Sequence, residues 1–171
     1  ALQAKKIDLI YAGMTITDER KEKVNFSNPY WIVNQDVVAM KGSNITLEDV
    51  LSGSAIIGTQ RGCTAAMWIE ENLIGKGMMP QANLKLYDNT PLAVNDLESG
   101  RIDAVMYDDL SLKDMIEGKN IEKIGSVETK EEFGIAVRKE DTALLATLNE
   151  GLADLMKDPY WQELIAKHDM K

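Results

Sequence analysis

Short apolar runs alternate with amphipathic stretches along this chain, and the alternation predicts strand after helix after strand. Ala1–Lys6 reads as the tail of a helix, good helix formers followed by lysines. Ile7–Ala12 is a buried strand, and a small-residue turn leads to a short charged helix at Asp18–Arg20, which Thr17 can cap. Val24–Ser27 is a second strand. Trp31–Met40 reads as an extended crossing segment and then a strand, ended by Lys41-Gly42-Ser43-Asn44. Thr46 caps the next helix with Asp49 as its capping-box partner and Gly53 as terminator. Ser54–Thr59 is a strand, followed through Gly62 by a helix burying Ala65, Ala66, Trp68, Ile69 and Leu73.

Asn83–Asp88 is the next strand; Thr90-Pro91 opens a helix, with an N-cap and a proline at its first position, that Gly100 closes. Arg101–Asp109 is strand and turn, and a helix then runs through Met115 to near Gly118. Ile121–Gly125 is a short strand, and Glu132–Asp141 another. Asp141 caps a long helix with Leu145, Leu148, Leu152 and Leu155 at helical spacing. Asp158-Pro159 starts a last helix that buries Trp161, Leu164 and Ile165. The order implies an α/β fold with largely parallel sheets. One internal echo bears on organisation: Gln3–Gly13 and Glu98–Asp108 each carry a helix tail, a basic residue, Ile-Asp, an apolar strand and turn residues. Two like lobes would produce it, and so would chance.

Composition narrows the chemistry. The 28 acidic and 19 basic side chains give a net charge of −9, which disfavours nucleic acid or an anionic membrane as partner. A single cysteine, Cys63, leaves no internal disulfide, and a single histidine, His168, leaves no histidine cluster for zinc or a triad. No apolar run approaches bilayer-spanning length, and no leader is visible in these residues. No catalytic residue, metal ligand or cofactor motif stands out.

Two turns and one strand end carry candidate binding chemistry. After the first strand, Ala12 and Gly13 allow close backbone approach, Thr15 supplies a hydroxyl, and Arg20 offers the planar fork that holds a carboxylate. Gln60-Arg61-Gly62-Cys63-Thr64 lies between a strand and a helix N-terminus, whose unpaired N–H groups attract an anion. Cys63 there is either a weak donor with a lowered pKa or a small buried filler. Tyr107-Asp108-Asp109 ends a strand, with Asp109 the expected cap of the helix that follows.

The run Ala12-Gly13-Met14-Thr15-Ile16-Thr17, then Arg20, Val24-x-Phe26-Ser27 and Pro29-Tyr30, closely resembles the extracytoplasmic amino-acid-binding proteins of ABC importers. The resemblance implies the type II periplasmic-binding fold: two Rossmann-like lobes joined by two hinge crossings, near Trp31–Asn34 and Val127–Phe133. It divides the chain into residues 1–32 (part of lobe 1), 33–132 (lobe 2) and 133–171 (the rest of lobe 1). The family's first strand–helix–strand unit is missing, so the resemblance implies a truncated chain with an incomplete lobe 1. It assigns Ala12, Gly13, Thr15, Arg20 and the amides of Cys63 and Thr64 to a ligand α-carboxylate, and Asp108 to its α-ammonium. Gln60 and Tyr107 fall where relatives read the ligand side chain; Arg61 fits a solvent-facing place.

The implied partners are a polar amino acid and an ABC permease, with no nucleic acid and no cofactor; the implied location is extracytoplasmic. A receptor sensor domain and a cyclohexadienyl-dehydratase-like enzyme on the same fold are the alternatives. An incomplete lobe 1 leaves strand edges and apolar surface open, so weak or no amino-acid binding is expected, together with a homodimer through that lobe or its displacement.

Overall fold

The structure, a computed structural model, describes residues 1–170. It divides into two compact units: residues 1–33 with 130–171, and residues 34–129. Strand β3 (Trp31–Met40) carries the chain from the first unit into the second, and β7 (Ile121–Phe133) carries it back. Lys130, at that return, has φ 51°, the left-handed region that a non-glycine residue adopts only at a cost.

The second unit is a three-layer sandwich. Its sheet has the order β5-β4-β6-β3-β7, with β4 (Ile57–Gln60), β5 (Leu84–Tyr87) and β6 (Ala104–Asp108). Strand β4 is parallel to both β5 and β6, while β3 runs antiparallel to β6 with Gln35 opposite Asp108 and Ala39 opposite Ala104. Successive strand residues point to opposite faces, and here both faces are covered. Val37, Ile57, Ala104 and Met106 pack with Val50 of α2 (Leu47–Leu51) and with Ala65 and Ile69 of α3 (Thr64–Ile69). Val38 and Val105 pack instead with Ala93, Val94 and Leu97 of α4 (Thr90–Glu98) and Leu112 of α5 (Asp109–Ile116). This explains the apolar runs Val37–Met40 in β3 and Ala104–Met106 in β6, where a half-exposed strand would alternate.

The first unit is smaller in its sheet. Strands β1 (Leu9–Ile10) and β2 (Asn25–Phe26) flank β8 (Ala136–Val137), both antiparallel to it. Leu2, Val24 and Ala136 form its small core with Ile10, Met14 and Phe26. Helix α1 (Asp18–Lys23) buries none of its residues, and α6 (Thr142–Lys157) buries Leu152. Helix α7 (Pro159–Lys167) begins at the expected Asp158 cap, whose carboxylate accepts the Tyr160 N–H.

Several local expectations hold and several change. The Lys6 N–H reaches the Ala1 carbonyl and the Lys5 N–H the Leu2 carbonyl, with Lys5 at φ 53°, the hydrogen bonding of a helix C-terminus. The Thr46–Asp49 capping box is present, with its carboxylate held below the usual range by the Thr46 hydroxyl and N–H. Parallel pairing, expected to dominate, joins β4 to β5 and β6, whereas β3, which carries the chain between units, runs antiparallel to β6, and β1 and β2 run antiparallel to β8. The two strands expected after Asn120 include one continuous 13-residue strand, β7. Asn89 caps α4 in place of Thr90, and the Thr90 hydroxyl turns inward to Gln60 at 3.3 Å. Asp141 stands at the start of α6 without capping it, since its carboxylate is 2.7 Å from the Arg138 guanidinium.

Candidate functional site

In the first unit, the predicted residues gather at the exit of β1. Gly13 has φ 62°, and a Cβ there would lie 3.2 Å from the Phe133 ring, so both the backbone angle and the space favour glycine. Its N–H donates to the Tyr30 hydroxyl at 3.2 Å. Tyr30 packs edge-on against Tyr11 with ring centroids 4.9 Å apart, and burial pushes its phenol pKa up. Ala12 is exposed beside this aromatic group.

Arg20 is built into α1 by two local bonds. Its N–H donates to the Thr17 hydroxyl, the expected cap, at 3.2 Å, and its guanidinium donates to the Thr15 carbonyl at 2.9 Å. Thr15 is buried and bridges to Phe133, while its hydroxyl donates to the Glu131 carboxylate at 3.0 Å. The sequence reading did not find Glu131; it lies 116 residues away and reaches Thr15 only through the tertiary fold.

The second unit brings its five predicted residues to the carboxyl ends of two interior strands of its sheet. Because β4 and β6 are parallel, their carboxyl ends lie side by side, where open α/β sheets bind ligands. Gln60 ends β4, Asp108 ends β6, and Cys63 and Thr64 begin α3. The Tyr107 and Thr90 hydroxyls both approach the Gln60 side-chain oxygen, at 3.5 and 3.3 Å. Arg61 is exposed and reaches back to the Leu86 carbonyl at 3.3 Å, in keeping with a solvent-facing place.

Cys63 caps α3, its sulfur accepting the Ala66 N–H at 3.4 Å and lying 3.3 Å from the Thr59 hydroxyl. Burial pushes its thiol pKa up, and the nearby Asp108 charge adds to this. The lowered pKa suggested by its position is thus reversed, because desolvation outweighs the hydrogen bonds that favour the thiolate.

Asp108 is only 9% exposed. It occupies the cap position of α5, yet its carboxylate makes no capping bond; Asp109, the expected cap, is the first helical residue. The Asp109 carboxylate instead accepts the Asn34 N–H at 3.1 Å and the Leu110 N–H at 2.7 Å. Asp108 accepts from Gln35 Nε2 at 2.6 Å, and the same amide lies 3.4 Å from the Thr64 hydroxyl. Gln35 was not predicted. Its signal in the sequence is the polar triplet Asn34-Gln35-Asp36, set between Val33 and Val37 inside β3.

Among the described residues no cluster of His, Cys, Asp or Glu could hold a metal ion, and no helix is long and apolar enough to cross a membrane. The chain is 33% identical to the L-cystine-binding protein TcyJ of Escherichia coli (strain K12), over 98% of this chain and 62% of that protein. It is 35% identical to the ABC transporter glutamine-binding protein GlnH of Bacillus subtilis (strain 168), over 97% of this chain and 59% of that protein. The chain therefore spans about 60% of the length of these curated relatives. A solved structure of an ancestral arginine-binding protein bound to arginine matches it with a TM-score of 0.83 and 35% identity, over 97% of this chain and 73% of that one. Residues 1–170 also match a protein-family model; with its paired parallel strand ends and its two units joined by β3 and β7, the chain belongs to the bacterial extracellular solute-binding proteins, family 3.

Proposed function

We propose that this chain is the greater part of a solute-binding component of an ABC importer that takes up a polar L-amino acid outside the cytoplasm and hands it to a permease. The observation that carries the reading is Asp108, a carboxylate nearly buried at a strand's carboxyl end and held by a neutral amide rather than spent on a cap. Such a group is suited to an α-ammonium. Arg20, with the backbone amides of Cys63 and Thr64, takes the α-carboxylate, and Ala12, Gly13 and Thr15 shape its approach. Gln60 and Tyr107 meet the ligand side chain. Relatives named for cystine, glutamine and arginine support the ligand class without selecting one amino acid. Binding without turnover is part of the proposal, as is pairing of two copies of the 171-residue chain through the edges of the β1-β8-β2 sheet.

Calorimetric titration of the natural full-length protein with each L-amino acid tests it. One polar amino acid should bind, and Arg20→Ala and Asp108→Ala should each weaken it by at least about 100-fold with an unchanged circular dichroism spectrum. Retained affinity in both variants overturns the assignment. Product formation from prephenate or arogenate would replace it with an enzymatic reading. The 171-residue chain alone should bind amino acids weakly and scatter light as a dimer; a monomer with micromolar affinity would refute the pairing.

A further inference from the structure

We infer that Gln35 is the positioning residue of the ammonium anchor, its side-chain amide fixing the Asp108 carboxylate in the orientation that receives the ligand. The inference rests on the functional reading above. On the face of β3 that Gln35 shares, its neighbours Val33 and Val37 are apolar and 0% exposed, while the polar Asn34 and Asp36 beside it in the chain point to the other face. Gln35 itself is 0% exposed, so a valine would suit its place by pattern and would cost no desolvation. A fully buried amide breaks the local rule of this strand, and such breaks mark function when the polar group is spent on a site.

Here it is spent on two candidate site residues. In the β3–β6 register Gln35 lies directly opposite Asp108. Its Nε2 donates to Asp108 Oδ1 at 2.6 Å and lies 3.4 Å from Thr64 Oγ1, joining the end of β6 to the start of α3. The preceding residue adds to this: the Asn34 N–H donates to the Asp109 carboxylate at 3.1 Å, so two consecutive β3 residues hold two consecutive aspartates. The chemistry of the donor matters. A lysine or arginine here would also orient the carboxylate, but would cancel the charge that attracts an ammonium. A glutamine amide orients it and leaves that charge intact, and an anchor ordered in advance loses less freedom when the ligand arrives. Gln35, being buried, acts through Asp108 and not by touching the ligand.

The test compares two ligands that differ only in the ammonium group: the L-amino acid that binds the natural full-length protein most tightly, and the same molecule lacking its α-amino group. Gln35→Met should weaken the amino acid by about 10- to 100-fold and the deaminated analogue by less than about threefold. Equal losses for both ligands, or no loss for either, would overturn the inference, since a purely structural residue does not read the ammonium. If Gln35→Met fails to fold, the wild-type side-chain amide signal of Gln35 decides by nuclear magnetic resonance. It should shift with the amino acid and stay in place with the analogue; any other pattern counts against positioning. Asp108→Asn separates the two levels: unchanged amino-acid affinity there, or no amino acid bound by the wild type, removes the functional reading and this inference with it.

Discussion

The two strands that share the pattern basic-Ile-Asp-apolar fare very differently in the folded chain. In the first unit Ile7 is 40% exposed, β1 is two half-buried residues long, and β8 is its single strand partner. In the second unit the equivalent Ile102 is 4% exposed, and β6 is five residues paired on both sides by β3 and β4. The shared aspartates diverge as well. Asp103 accepts the Ile56 N–H at 2.7 Å just ahead of β4 and β6, whereas Asp8 reaches the guanidinium of Arg138 at 3.0 Å. Like sequence therefore gives like strands, but the neighbours decide how long, how buried and how firmly held each one is. The same contrast reaches the site: Asp108 sits at the end of the firmly held strand, and Arg20 on a six-residue helix with no buried residue.

The largest expected effect breaks the comparison at its core. Met106→Ala on β6 should cost about 2–5 kcal/mol by urea unfolding, while Ile10→Ala on β1 should cost roughly 1–2 kcal/mol, because a half-buried site loses fewer contacts. Equal costs would mean that β1 is as well supported as β6.

Arg138 sharpens the contrast next. It is 8% exposed, donates to the Leu2 and Ile7 carbonyls at 3.3 and 2.7 Å, and pairs with Asp8 and Asp141. Both acids favour its charged form, with the Asp8 hydrogen bond leading. Arg138→Met should speed amide exchange in β1 and β8 by about tenfold or more and leave β4 and β6 unchanged. Uniform acceleration would show that the clamp serves the whole chain.

Thr46→Ala removes the capping box of α2 and should cost about 1 kcal/mol, confined to the second unit's unfolding transition. A loss beyond about 3 kcal/mol would assign Thr46 a role other than capping.

The smallest effect is a pH dependence. Burial, then the Asp96 hydrogen bond and charge, push the Tyr87 phenol up to about 12. A raised pKa means the protonated form is favoured by folding, so this stabilisation is present below pH 10 and lost as pH climbs toward about 12. Tyr87→Phe should flatten that alkaline loss in a thermal-melt series; an unchanged profile would place the loss elsewhere, with Tyr11 and Tyr30, whose pKa values burial also raises, as the first suspects.

Much of this was legible in the chain alone. The Thr17, Thr46 and Asp158 caps hold because capping needs only residues a few positions apart. Gly13 and Arg20 were readable because a turn and the helix after it are local, and the strand–helix order followed from apolar periodicity. Tertiary structure decided what depends on residues far apart. The antiparallel setting of β3 against β6 comes from a strand that carries the chain between units, which no local pattern encodes. The Asp108 carboxylate makes no capping bond, and one of its oxygens instead accepts from Gln35, 73 residues away. Cys63 keeps a raised pKa because burial, which only the folded chain sets, outweighs the helix terminus its sequence position promised. Sequence determines which groups are available and their local geometry; burial and distant partners determine which of them carry charge into a site.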